Sequence, residues 1–181
     1  MKTTLGLVCG LLILLGALAR AADLDPALQS KVDEQLKLVQ ALAAEPALVA
    51  GVKAQNAALP PDLAAMTQDK WKAASLLDPV LRGLSKNAVA ELLKAKRSPA
   101  FSEVFVNDAN GLKVAFLSKT SGWSHKGKPK HDLPMAGKTW QGEVEVDAST
   151  GLQQLQVAVP VLDGGTPIGS LVVGLALSKL K

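Results

Sequence analysis

The chain has 181 residues, the length of one ordinary domain, and 48% hydrophobic residues, enough for a core without staples. Aromatic residues make up 3%, with no Tyr, so that core is aliphatic. The formal charge of +4 falls by two once Lys2 and Arg20 of the leader are set aside, and no basic, aromatic-interleaved stripe is present, which excludes a nucleic-acid-binding reading.

Met1-Lys2 is a short basic start, Leu5 to Leu18 an apolar run, and Ala19-Arg20-Ala21 a small-x-small cleavage site. Residues 1–21 therefore read as a signal peptide and 22–181 as a single exported domain, periplasmic or secreted after cleavage near Ala21. A retained anchor is the alternative, but the run is shorter than the ~20 residues a span needs. Cys9 is the single cysteine. It lies inside the apolar run, and Val8 stands where a lipoprotein signal needs a small residue. The mature chain thus carries no thiol, disulfide or cysteine metal ligand.

Residues 22–100 form a helical lead. Asp25-Pro26 supplies an N-cap and a first-turn proline. Leu28, Val32, Leu36, Val39 and Ala43 then recur at helical spacing. Pro46 either kinks this helix or starts a second, to about Ala58. Pro60-Pro61 is a firm break, after which Asp62 can cap another helix carrying Leu63, Met66 and Trp71. Asp78-Pro79 repeats the start signal, with Val80, Leu81, Leu84, Val89, Leu92 and Leu93 following. Lys94, Lys96 and Arg97 gather where cations favour the helix dipole. Trp71 reads as a packing residue, and nothing in this half carries chemistry.

Residues 101–181 form the sheet and a loop. Ser102 to Lys119 holds two runs of β-formers around Asp108-Ala109-Asn110-Gly111. Asn-Gly between apolar runs signals a hairpin, because both residues tolerate the positive φ of a tight turn. Thr120 to Lys138 has no period and is rich in Gly, Pro and Lys. It reads as a loop with at most one helical turn, long enough for a binding loop or lid. Glu143 to Asp147 alternates charge with Val and reads as a half-exposed strand. Leu152 to Val161 and Ile168 to Leu177 follow, separated by Asp163-Gly164-Gly165. The last run is nearly continuous in apolar residues and suits a central strand covered on both faces. The class is α+β: N-terminal helices packed on a five-stranded antiparallel sheet.

The pieces EPALVAGVKAQNAAL, DKWKAAS, SEVFVNDANGLKVAFLSKTSGW, GEVEVDAST and VAVPVLDGGTPIGSLVVGL, in that order from Glu45, resemble the extracytoplasmic Cache (PDC) sensor domains. These have a PAS-like fold. The match is to small single-module forms exported without a receptor body. The resemblance implies a long N-terminal helix beside the sheet and a small-ligand pocket between one sheet face and a lid after the second strand. In similar proteins the lid begins Thr-Ser-Asp-Tyr-Trp-Gln-Gly-Asp-Glu. This chain keeps Thr120-Ser121, then continues Gly122-Trp123-Ser124-His125-Lys126-Gly127-Lys128. Lysines stand where acids are usual, which points to an anionic ligand or to loss of binding.

The expected function is an exported, non-enzymatic sensor module that acts through another protein, such as a membrane receptor or sensor kinase. Trp123 and Trp140 would offer flat apolar surface, Thr120 and Ser121 hydroxyls, and His125 or Lys126 charge for an organic anion. Against this, both tryptophans could simply pin the loop. His125 and His131, with Asp132, lack a third metal ligand at recognisable spacing, so no metal or cofactor is assigned. No nucleophile elbow or Ser-His-Asp context supports catalysis. The alternative is an interaction module without a ligand, with the amphipathic helix from Pro26 pairing with a partner or with its own copy in a homodimer.

Overall fold

The computed structural model describes residues 24–146 and 151–180. The signal peptide read over residues 1–21 lies outside the described residues, as do Ser149 and Thr150 of the turn read before Leu152. Asp25 caps the first helix, α1 (Pro26–Ala43). Its carboxylate accepts from the backbone N–H groups of Ala27 (2.9 Å) and Leu28 (3.4 Å), donors that a helix start leaves without an intrahelical partner. Its apolar stripe buries Val32, Val39, Leu42 and Ala43. Pro46 starts a second helix, α2 (Pro46–Ala57), where its missing N–H costs nothing.

Two helix starts differ from the sequence expectation. Asp62 lies inside the single turn of α3 (Pro61–Ala64), with Pro60 at the cap position. The next helix, α4 (Gln68–Ala73), is capped instead by Thr67, whose hydroxyl accepts from the Lys70 N–H (3.2 Å). The run after Asp78 is divided into α5 (Pro79–Lys86) and α6 (Ala88–Ala95). Asn87 causes the break: its side chain accepts from the Ala90 N–H (2.9 Å) and donates to the Val114 carbonyl (2.8 Å), so it both caps α6 and ties it to the sheet.

The sheet is antiparallel throughout. Its strands are β1 (Phe101–Asp108), β2 (Lys113–Phe116), β3 (Trp140–Gln141), β4 (Glu145–Val146), β5 (Gln153–Asp163) and β6 (Thr166–Ala176), in the order β2-β1-β6-β5-β3, with β4 also on β5. β3 and β4 are two short pieces along the same edge of β5, so the described strands form five rows. Of the strand expected over Glu143 to Asp147, the described residues pair at Glu145 and Val146, and Asp147 lies outside the described residues. β6 is central, and Gly169 to Ala176 is buried, as its apolar run requires.

The two hairpin turns differ. At Asp163-Gly164-Gly165-Thr166 both glycines take positive φ (56° and 88°), the two-residue turn that matches strand twist. At the β1–β2 turn only Gly111 does (77°), and Asn110 stays out of that region, contrary to the sequence expectation. Asp108 explains the difference. Its Oδ1 accepts from the N–H groups of Asn110 and Leu112, both at 2.9 Å, holding a three-residue loop that needs one left-handed residue at its end.

The strand period sorts side chains into two cores. Val104 and Val106 of β1, with Val157, Val159, Leu171 and Val173, pack under α1, α2 and α6. Phe105, Phe116, Ala158 and Val172 face the other way, with Leu63 of α3, Trp71 of α4 and Trp123 of the loop. That second face also receives α7 (Pro129–Met135), the two-turn helix that forms within the loop over 120–138. No helix among the described residues is long and apolar enough to cross a membrane.

Candidate functional site

The face beneath α7 carries polar side chains amid apolar strands. Asn107 and Ser170 are opposite one another across β1 and β6, and Lys113 is opposite Asn107 across β1 and β2. All three are fully buried. Buried polar groups are tolerated only when their hydrogen bonds are satisfied, and here they form a directed chain. Lys113 Nζ donates to Asn107 Oδ1 (2.9 Å), Asn107 Nδ2 donates to Ser170 Oγ (2.9 Å), and the Ser170 hydroxyl donates to His131 Nδ1 (2.9 Å). His131, on α7, completes the chain with a hydrogen bond to the Ala109 backbone.

His125 closes the other end. Its Nδ1 is hydrogen-bonded to Lys113 Nζ, and its ring stacks on Phe105 (centroids 4.7 Å apart, 27° between planes). Lys113 Nζ itself lies 4.3 Å from the Phe105 ring centroid. Burial, and next the neighbouring Lys113, push the His125 imidazole down to about 2, so it is neutral with the proton on Nε2. Burial likewise lowers Lys113 well below the ordinary lysine value, against weaker support from the Glu103 and Asp108 carboxylates. His131 is lowered by burial too.

A second polar relay runs beside the first. Lys130 of α7 donates to Gln156 Oε1 (2.8 Å), and Gln156 Nε2 donates to Glu103 Oε2 (2.7 Å). Lys130 is half-buried, and burial lowers it despite the nearby Glu103 and Glu145. The hairpin turn anchors the whole site. The His125 N–H donates to the Gly111 carbonyl (2.8 Å), and Gln55 of α2 donates to Asp108 Oδ2 (2.9 Å) and to the Lys113 carbonyl (3.2 Å).

The six residues singled out from sequence are not all brought together. His125 is in the cluster. Trp123 is buried against Trp71 (5.3 Å between centroids), and its backbone N–H donates to Gln68 Oε1 (2.9 Å). Thr120 is buried: its carbonyl accepts from Trp71 Nε1 (2.7 Å), and its hydroxyl donates to the Gly122 carbonyl (2.8 Å). Ser121 and Lys126 are exposed, and Trp140 is half-buried on the sheet edge opposite Ala158. Sequence reasoning missed Asn107, Lys113 and Ser170. Their signal was a polar residue at an inward strand position, legible only once register is known.

Lys113 and His125 are buried in this cluster, and Lys130 of α7 is half-buried beside it. A cavity of about 680 Å³ lies elsewhere, between α2, α3, α5 and α6 at the β2 edge, walled by Ala50, Gly51, Leu63, Gly83 and Val114. Among the described residues no group of three or more His, Cys, Asp or Glu is placed to hold a metal ion.

No family model matches the sequence, and no curated protein matches it. Solved structures do match. The sensor domain of the V. cholerae histidine kinase DctB aligns with a TM-score of 0.50 at 18% identity, over 85% of this chain and 54% of that one. The E. coli DcuS sensor domain aligns at 0.49 and 17%, over 86% of this chain and 96% of that one. The ligand-binding domain of the Pseudomonas aeruginosa PAO1 amino acid chemoreceptor PctC, solved in complex with GABA, aligns at 0.48 and 20%, over 85% and 57%. The chain spans about half the length of the DctB and PctC domains. It has the α+β fold of the Cache, or PDC, sensor domains, with helices on both faces of a PAS-like antiparallel sheet.

Proposed function

We propose that this chain is an exported, non-enzymatic sensor module that binds a small ligand between the sheet and α7. Occupancy is passed to a separate membrane receptor or sensor kinase. The observation that carries the reading is the buried polar chain Lys113–Asn107–Ser170–His131 on the sheet face that also carries Phe105, Phe116, Ala158 and Val172. An apolar face would pack under α7 without the desolvation cost of a lysine. The hydrogen-bonding set is the kind that orients a small ligand in a mainly apolar site.

The test is a thermal-shift screen of the purified exported protein with organic acids, amino acids, amines and purines. A ligand at ~100 times its dissociation constant adds about 2.7 kcal/mol, which raises the melting temperature of a domain this size by roughly 5–10 °C. The shift is expected to be lost in Asn107→Ala and kept in Gly83→Leu, which fills the separate cavity at the β2 edge. The reverse pattern would move the ligand to that cavity. No shift across the panel would sink the reading.

One observation favours a second reading, a partner-binding module without a ligand. Leu76 and Leu77, between α4 and α5, are 59% and 79% exposed side by side. Light scattering and binding to the cognate receptor, compared between the protein and Leu76→Ser/Leu77→Ser, distinguish the two.

A further inference from the structure

None of Lys113, Asn107, Ser170, His125 and His131 lines the cavity at the β2 edge. Its walls are small or aliphatic: Ala47 and Ala50 of α2, Gly83 of α5, Val89 of α6 and Val114 of β2. Its volume of about 680 Å³ is in the range that holds a small organic molecule. Gly83 stands inside α5, where glycine is a poorer helix former than alanine. A Cβ added there meets nothing within 4 Å, so no packing contact demands the glycine. What the missing side chain does is keep that wall of the cavity clear.

Three polar side chains line the cavity, Gln55, Asn87 and Asp62. Asn87 is engaged at both ends, its oxygen by the Ala90 N–H and its nitrogen by the Val114 carbonyl. Gln55 is 9% exposed, and its Nε2 donates to Asp108 Oδ2 and to the Lys113 carbonyl. Both partners are acceptors, so the amide can stand only one way round, with Oε1 turned from them. Oε1 has no hydrogen-bond partner among the described residues, where no fully buried side-chain oxygen is left unsatisfied. It is therefore an accessible acceptor on a buried side chain, and the cavity is what it opens on. Asp62, exposed on α3, has no ion-pair or hydrogen-bond partner among the described residues. It is the one charged side chain on the wall. Both unengaged polar groups are thus acceptors. A carboxylate ligand would set acceptor against acceptor, whereas an ammonium offers three donors and the opposite charge.

We propose that the cavity at the β2 edge is a second binding site, for a small hydrophobic amine. Its ammonium is drawn by the Asp62 carboxylate and donates to Gln55 Oε1, and its apolar body lies against Ala50, Val89 and Val114. The site stands on its own residues and does not depend on the reading of the pocket beneath α7.

Isothermal titration of the exported protein at low salt is the test, with four probes: 2-phenylethylamine, 2-phenylethanol, 3-phenylpropionate and ethylamine. The first is expected to bind and the alcohol to bind more weakly. The acid lacks the charge match and ethylamine the apolar body, so neither should bind. Gly83→Leu, which fills the cavity, should weaken 2-phenylethylamine at least tenfold. Asp62→Asn should weaken it about two- to fivefold, the size of an exposed charge contact, and leave 2-phenylethanol unchanged. Both substitutions fall at exposed positions. In isotope-labelled parent protein the Gln55 side-chain amide resonance should move as 2-phenylethylamine is added, a readout that needs no variant. The acid binding as tightly as the amine would overturn the inference. So would amine binding that Gly83→Leu leaves intact, or no heat and no Gln55 shift with 2-phenylethylamine at millimolar concentration. None of these outcomes bears on the pocket beneath α7, which is judged by the loss in Asn107→Ala.

Discussion

Gly111 decides whether the loop before α7 can meet the hairpin. Its φ of 77° places it where an L side chain is strained, and an added Cβ would lie under 3.0 Å from the Lys126 backbone nitrogen. Gly127 has a similar φ of 80°, but an added Cβ there meets nothing. The pair separates strain from collision. Gly127→Ala is expected to cost only the left-handed penalty, about 1–2 kcal/mol. Gly111→Ala adds a clash with backbone that cannot rotate away, and is expected to cost about 3 kcal/mol or more. Urea midpoints at constant slope measure both. Equal losses would mean that the loop yields freely and does not need the His125–Gly111 tether. The same scale shows where sequence reading runs out. Lys113 stands between Leu112 and Val114, and Ser170 between Gly169 and Leu171, and neither neighbourhood marks a site. Their meaning comes from register, which sets both residues around Asn107 from two different strands.

At the scale of the element, α7 is fastened to the central strand by few bonds. Ser170 carries most of the polar part, accepting from Asn107 and donating to His131. Ser170→Ala keeps the strand and removes that fastening. Amide exchange over 131–136 is expected to speed by about 5- to 30-fold, the equivalent of one or two kcal/mol of local opening, while β6 exchanges as before. Unchanged exchange in α7 would show that apolar contact alone holds it. The helices were legible for a local reason. Asp25-Pro26, Pro46 and Asp78-Pro79 act through bonds within a few residues, and each starts a helix where it stands. Asp62 did not cap because Pro60-Pro61 moves the start of α3 ahead of it. Asn87 was overlooked because its value lies half in the local cap and half in a bond to Val114, 27 residues away. α7 was hidden by Pro129 and Pro134, which break a periodic reading. Pro129 in fact begins the helix, and Pro134 is buried near its end. The strand over Glu143 to Asp147 was read from alternation alone, but Glu145 and Val146 are exposed at a sheet edge, with little burial to extend the pairing back over Glu143 and Val144.

At the scale of the whole molecule, the buried bases couple stability to pH. His125, pushed down to about 2, remains neutral in the folded protein, whereas in the unfolded chain it regains the ordinary value near 6.5, and His131, also lowered, acts in the same sense. Below 6.5 the unfolded chain therefore binds protons that the folded one refuses, and stability falls as pH drops toward 2. Above 6.5 the histidine contribution is complete and flat. Lys113 and Lys130, lowered by burial, act in the same sense over a higher window. Between their folded values and 10.5 the unfolded chain again holds more protons, so stability rises with pH. Each such group sets a slope of at most about 1.4 kcal/mol per pH unit within its window. His125→Gln isolates one of them, because the amide oxygen can still accept from Lys113 but does not titrate. Urea unfolding of the protein and of this variant from pH 7 to pH 4 is expected to give curves that are parallel above 6.5. Below it they should diverge by up to about 1.4 kcal/mol per unit, with the variant losing less. Curves that stay parallel to pH 4 would mean that His125 takes up a proton in the folded state. A charged His125 against a charged Lys113 would be a like-charge pair, so that result would also require Lys113 to be neutral or the ring to move away from it.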